Sequence, residues 1–176
     1  MQAPLLETPR LILRGNRKQD FSALAAMWAE PAVAQFILGK PASEEESWAR
    51  LLRYAGHWAL LGFGFWAVEE KASGEFVGEI GFADFHRPLD PPFGDRPEAG
   101  WVMRSHFHGR GYASEALRAI FTWGDRHFAG RESACMIAPG NSASIRLAEK
   151  FGFREALRTT YKGDPAIIYY RRRREA

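Results

Sequence analysis

The sequence predicts an α/β fold, a mixed and mostly antiparallel central sheet with helices on both faces, and three observations carry that prediction. Segments with two-residue apolar alternation and segments with helical spacing follow one another in the order β-α-α-β-β-β-α-β-α-β-β. The first half joins its strands by short turns while the second alternates strand, helix, strand, helix, which mixes antiparallel and parallel neighbours. The 176 residues, 46% hydrophobic and 26% charged, suit a core that buries about two-thirds of the unfolded surface without disulfide or metal. Residues 1–176 therefore read as a single domain, with no internal repeat or low-complexity stretch.

Each element has a local reason. RLILR at 10–14 alternates and reads as the first strand. Asp20 can cap a helix carrying Phe21, Leu24, Ala25 and Trp28 on one face; Pro31 is expected to end it or to bend the chain just after it. Ser43 and Glu46 form a capping box, after which Trp48, Leu51, Leu52, Ala55 and Ala59 mark the predicted buried stripe. Gly62 and Gly64 break that helix, and strands are predicted at 65–69 and 75–85 around the turn Ser73-Gly74. HRPLDPPFGDRP at 86–97 carries four prolines and reads as a loop. Strand 98–104, helix 111–127, strand 133–137 and a helix from Asn141 to Phe151 follow, the last closed by Gly152. Two strands, at 154–160 and 166–172, flank the turn KGDP. Trp28, Trp48 and Trp101 are expected in the core, Trp66 and Trp123 outside it.

Composition excludes more than it assigns. The single cysteine, Cys135, has no internal partner, which favours a reducing compartment, and its apolar strand suggests a packing role. MQAPLLETPR does not read as a secretion signal, and no apolar run approaches the roughly 18 residues of a membrane span, so a cytoplasmic protein is expected. A net charge of +3 does not announce a nucleic-acid binder. Arg171 to Arg174 read first as a solvated charged tail; an RNA-facing patch or an attraction for acidic substrates are the alternatives. The five histidines show no paired spacing with acids, so no metal is expected.

The stretch WVMRSHFHGRGYASEAL, 101–117, places a strand, a glycine-containing loop and an amphipathic helix in succession. Gly109 and Gly111 let backbone N–H groups converge, the helix start adds about half a positive charge, and the small residues Ala113 and Ser114 would admit a pyrophosphate. Neither the P-loop pattern nor GxGxxG is present. With TPRLILR at 8–14, HGRGYASEAL at 108–117 and NSASIRLAEKFGF at 141–153, in that order, the chain resembles the GNAT superfamily of acyl-CoA-dependent N-acetyltransferases, most closely the RimJ/RimL-like branch that acetylates ribosomal-protein N-termini. The resemblance implies acetyl-CoA as cosubstrate, held by His108, Gly109, Arg110, Gly111, Tyr112, Ala113 and Ser114 at the phosphates. It further implies that Val102 and Met103 pair with the pantetheine arm and that Asn141, also a helix cap, meets it. The family's first loop position is Gln or Arg, where this chain has His108.

Amide formation from a thioester needs a neutral amine and a polarised carbonyl. At pH 7 an α-amine of pKa about 7.8 is neutral in about one molecule in seven, a lysine amine in about one in 2,500. Glu98, at a strand start, matches a family position that carries a general base, and Glu79 in VGEIGF is the second candidate. The family's leaving-group tyrosine falls on Ala148, so Ser144 is the substitute the resemblance suggests. The predicted activity is acetyl transfer to a primary amine, a protein N-terminus or a small molecule, by direct attack. A non-catalytic acyl-CoA sensor or docking module is the alternative that Ala148 and His108 favour. The loop 86–97, Phe36, Ile37 and the long second helix are expected to shape the acceptor pocket, and a homodimer through the final strands would fit the family.

Overall fold

The computed structural model describes residues 2–128 and 130–172. Its elements are β1 (Leu6–Glu7), β2 (Leu11–Arg14), α1 (Phe21–Trp28), α2 (Pro31–Ala34), α3 (Glu44–Leu61), β3 (Phe65–Glu70), β4 (Phe76–Ala83), β5 (Glu98–Met103), α4 (Tyr112–His127), β6 (Ser133–Ile137), α5 (Ser142–Lys150), β7 (Arg154–Tyr161) and β8 (Asp164–Arg171). The strands form one sheet in the order β1-β2-β3-β4-β5-β6-β8-β7. Neighbours are antiparallel except β5 and β6, which run parallel. The mixed, mostly antiparallel sheet read from the sequence is what forms.

Helices cover both faces because β3 alternates cleanly. Trp66 and Val68 face a core shared with Ala116, Leu117, Ile120 and Phe121 of α4 and Ala148 of α5. Phe65 and Ala67 face the opposite side, against Tyr54 and Leu51 of α3 and Leu24 and Trp28 of α1. Full burial of each such large side chain contributes about 1.5–3 kcal/mol. Arg14 fastens the start of α1, donating from both terminal nitrogens to Asp20 at 2.8 Å.

Pro31 lies just after α1, where the chain bends, and opens α2, sitting in its first turn where the missing N–H costs nothing. Several local readings need correction. β1 is two residues long, too short for any period to reveal it. The capping box at Ser43 and Glu46 forms, but α3 buries Ser47, Leu51, Tyr54, His57 and Trp58, a face turned from the predicted one. Trp48 and Leu52 are exposed, and Trp66, expected outside, is fully buried. Of the arginine run, Arg171 is buried in a two-pronged pair with Asp125 at 2.6 and 2.8 Å, and Arg172 pairs with Glu132. Arg173 and Arg174 lie outside the described residues.

Candidate active site

The sheet forks at β5. One edge of β5 pairs with β4 along all six residues, from Glu98 opposite Ala83 to Met103 opposite Gly78, but the other edge meets β6 only at Glu98 opposite Ala134. Beyond that point the strands separate and leave backbone groups without a strand partner. Strand alternation tells which: Arg104 N donates to Val77 O and Ala134 N donates to Pro97 O. The peptide groups of Ala99, Trp101 and Met103 therefore face the fork, and those of Val102 face β4. The side chains of Glu98 and Val102 share the face covered by α1 and α3, where Glu79 also lies and where the Phe65 ring fills the space beside Gly100.

At the far end of β5 the chain makes the glycine loop. Gly109 and Gly111 both hold positive φ, +75° and +79°, which an L side chain rarely adopts. Gly111 is the N-cap of α4 and supplies no capping side chain, so the first N–H groups of α4 keep their capacity for an anion. His108 Nε2 donates to Met103 O at 2.9 Å, spending that ring nitrogen on the preceding strand. Lys150 Nζ reaches Ser114 Oγ at 3.2 Å. The loop is held from behind by the chain's opening motif. Glu115 accepts from Thr8 Oγ1 at 2.6 Å, Arg10 N at 2.8 Å and Arg10 Nε at 2.7 Å, while Arg10 Nη1 donates to Arg110 O at 3.0 Å. Thus TPRL and GYASEA, about a hundred residues apart, form one clamp.

At the near end the fork opens into a cavity of about 1250 Å³. Its walls include Ala99 to Val102, Cys135 to Asn141, Ser144, the segment after α2, one stripe of α3, the end of β4 and the β7–β8 turn. Glu98 lies here, buried, and receives Arg87 Nε at 2.6 Å and Arg87 Nη2 at 2.8 Å. Burial pushes its carboxyl above the ordinary value, with Arg87 pulling the other way and losing. Behind the wall Glu79 is wholly buried; its Oε1 accepts from Tyr54 Oη at 2.5 Å and Trp28 Nε1 at 3.2 Å, and its Oε2 has no partner. Burial raises it to about 7, against the pull of Arg50 and the two hydrogen bonds.

The predicted residues thus fall into two groups. Glu98, Val102, Asn141 and Ser144 line the cavity, while Gly109 to Ser114 lie at the loop and the start of α4. Asn141 Oδ1 accepts from Ser144 N at 3.1 Å, so Asn141 does cap α5. Ala148 is buried completely in the core, out of reach of any reacting group. Cys135 is buried as expected but also borders the cavity, and its thiol is pushed up by burial. Of the loop 86–97 only His86 and Arg87 reach the cavity, and the β7–β8 turn takes the place expected for the rest. Sequence reasoning missed Arg87, Arg50, Arg53, Tyr54 and Tyr161 in these walls. Arg50, Arg53 and Tyr54 carried a signal, a polar stripe at i, i+3 and i+4 on α3; Arg87 and Tyr161 carried none. Among the described residues no group of three or more His, Cys, Asp or Glu could hold a metal, and no helix is long and apolar enough to cross a membrane.

The forked sheet, glycine loop and capless helix start define an acyltransferase class of architecture, and comparison with known proteins names it. The family model described as "Acetyltransferase (GNAT) domain" matches residues 10–154. YkkB of Bacillus subtilis is 35% identical over 172 residues, which is 96% of this chain and 95% of its own. A GNAT-family acetyltransferase structure from Bordetella pertussis is 31% identical, with a TM-score of 0.85 over 96% of this chain and 99% of that one. A Salmonella typhimurium acetyltransferase that modifies the N-terminal serine of ribosomal protein L7/L12 shares the fold, with 19% identity and a TM-score of 0.77 over 97% of this chain and 100% of its own. The chain belongs to the GNAT acetyltransferase family.

Proposed function

We propose that this acetyltransferase takes the acetyl group of acetyl-CoA and passes it to a primary amine by direct attack, the amine being a small molecule or a protein N-terminus. The observation that carries the reading is the position of Glu98 at the crotch of the fork, with open backbone edge on one side and a cavity on the other. The residues fit the cosubstrate on two grounds. The unpaired peptide groups of β5 can pair with the pantetheine arm, beside Val102, Met103 and Asn141. The uncapped start of α4, with His108, Gly109, Arg110, Gly111, Tyr112, Ala113 and Ser114, suits a pyrophosphate. Acetyl-CoA would supply the activated acetyl thioester.

The chain's own residues do the rest. Glu98 takes the proton from the attacking amine, directly or through water, and its raised pKa brings it nearer the operating pH. An N–H on the fork side of β5, among those of Ala99, Trp101 and Met103, would polarise the thioester carbonyl. Ser144 is the hydroxyl at the cavity wall on α5 that can serve the departing thiolate.

Calorimetric titration with acetyl-CoA, beside Gly111→Trp, tests the donor side. Micromolar binding that disappears in the variant is expected, because Gly111 holds positive φ with Arg10 Nη2 at 3.5 Å from an added Cβ. Thiol release with an amine panel tests turnover. The burial of Ala148 favours a second reading, a CoA-binding module without catalysis, and binding without thiol release would select it.

A further inference from the structure

Resting on the reading of this cavity as an acceptor site, we propose that the acceptor carries an oxyanion, a carboxylate or a phosphate, as well as its amine, and that Arg50 and Arg53 of α3 bind it. Glu46, Arg50 and Arg53 fall at i, i+4 and i+7, one stripe along α3 turned to the cavity. None of the described acids nearby forms an ion pair with Arg50 or Arg53, although Glu46 and Glu79 lie within the field of Arg50. Glu98 is taken by Arg87 through both oxygens. Glu46 accepts from Ser43 N at 2.7 Å in the helix cap. Asp84 receives His86 N at 3.0 Å. Asp164 sits on the β7–β8 turn, and Glu79 is behind the wall with Tyr54 and Trp28.

Among the described residues, neither Arg50 nor Arg53 forms an ion pair with a carboxylate, and Arg50 Nε is buried without a hydrogen-bond partner. The Arg50 guanidinium lies 3.7 Å above the Trp28 ring and also hydrogen-bonds Tyr54 in the field of Glu79, while that of Arg53 lies 5.1 Å from the Phe85 ring. Stacking secures the flat face of a guanidinium and leaves its edge, with its forked N–H donors, for a planar anion. Arg53 is wet but set in a concave wall. Its pKa is pushed down, first by the surrounding protein, and among the charges by Arg50 and Arg87, while Tyr54 and Glu79 oppose. Arg50 and Arg87 crowd Arg53 with like charge, and no described carboxylate of these walls forms an ion pair with it, which leaves its donors to a ligand anion. The aromatic rings of Trp28, Tyr54, Phe65 and Phe85 in the same walls suit an apolar body between amine and anion.

The experiment measures thiol release at saturating acetyl-CoA from L-phenylalanine, L-methionine and O-phosphoethanolamine. L-phenylalaninamide, L-methioninamide and spermidine are the partners without an oxyanion. Each free acid is expected to exceed its amide at least tenfold in kcat/KM, or the phosphate ester to do so over spermidine, and the more active arm identifies the anion. In Arg53→Gln the ratio of acid to amide should collapse about 10- to 100-fold, mostly through KM for the acid, with the KM for acetyl-CoA as the control for folding. Amides or spermidine reacting as well as the oxyanion-bearing amines would overturn this inference and leave the transferase reading intact. Where nothing turns over, calorimetry of the same acids and amides against the CoA-bound protein decides. Acids binding and amides not would keep the anion site while removing catalysis; equal binding, or none, overturns the site.

Discussion

The two halves of the cleft are built differently. The proposed donor half is largely continuous chain, β5 through the start of α4, and it offers backbone: open strand edge, left-handed glycines, a helix start. The proposed acceptor half is assembled from side chains on the segment after α2, on α3, just after β4 and on the β7–β8 turn. Backbone recognition needs few residue types but a fixed order, whereas side-chain recognition lets types vary freely on the same scaffold. The donor half therefore advertises the family and the acceptor half the individual protein. Glu98 stands where the halves meet, and the largest effect is expected there.

Glu98→Gln keeps the shape and removes the proposed base. The kcat should fall by about 10²–10⁴-fold while the Kd for acetyl-CoA, read by calorimetry, changes less than about twofold. A full rate in the variant would mean that the junction performs no proton chemistry and that only the two binding halves matter. The pH profile sharpens this. Since burial raises the Glu98 pKa, the acid limb of kcat/KM should lie above the ordinary carboxylate range, and Arg87→Gln, which removes a cation that opposes the shift, should move the limb to still higher pH.

Legibility in the sequence follows the same division. HGRGYASEAL could be read because every group it uses is adjacent in the chain and two glycines have no substitute at positive φ. Asn141 could be read because a cap acts three residues away. Arg87 could not be, since its partner is eleven residues distant across a proline-rich loop and only the sheet brings them together. The fold was legible in its order and its sheet type, but the face of α3 was not. That helix carries apolar residues on two adjacent stripes, and the packing of Leu51, Tyr54 and Trp58 against β3 chooses between them. The role of TPRL could be recognised only as a motif; its cause, the clamp on Glu115, exists only in three dimensions.

On the acceptor side, Glu79 should govern stability through pH. An ordinary carboxyl loses its proton near 4.5, but the folded chain keeps it on Glu79 to about 7. Below 4.5 both states hold the proton. Between 4.5 and 7 the folded state binds more, so this group makes stability fall as pH rises, and above 7 the loss is complete. Relative to Glu79→Gln, which can still accept from Tyr54, the wild type should lose up to about 3 kcal/mol across that window. Urea midpoints of both proteins at pH 5 and pH 8 measure it; parallel behaviour would mean that Glu79 titrates normally.

On the donor side, Glu115→Ala should weaken acetyl-CoA by about tenfold and cost about 1–3 kcal/mol in unfolding free energy. The variant leaves Thr8 Oγ1, Arg10 N and Arg10 Nε without their shared acceptor and frees Arg10 from its place behind the loop. Loss of stability without loss of affinity would show that the clamp supports the sheet rather than the phosphate site.

The smallest effect belongs to Leu52 of α3, and its contrast with Leu51 checks which stripe of that helix the proposed acceptor half is built on. Leu52 is 53% exposed and Leu51 only 4%. Leu52→Gln should therefore change stability by no more than about 0.5 kcal/mol, whereas Leu51→Ala, which empties space beside Trp28 and Ala67, should cost about 2–5 kcal/mol. Chemical denaturation of the pair gives the contrast directly. Equal losses would rotate α3 toward the stripe of Trp48 and Leu52, and would carry Arg50 and Arg53 away from the cavity with it.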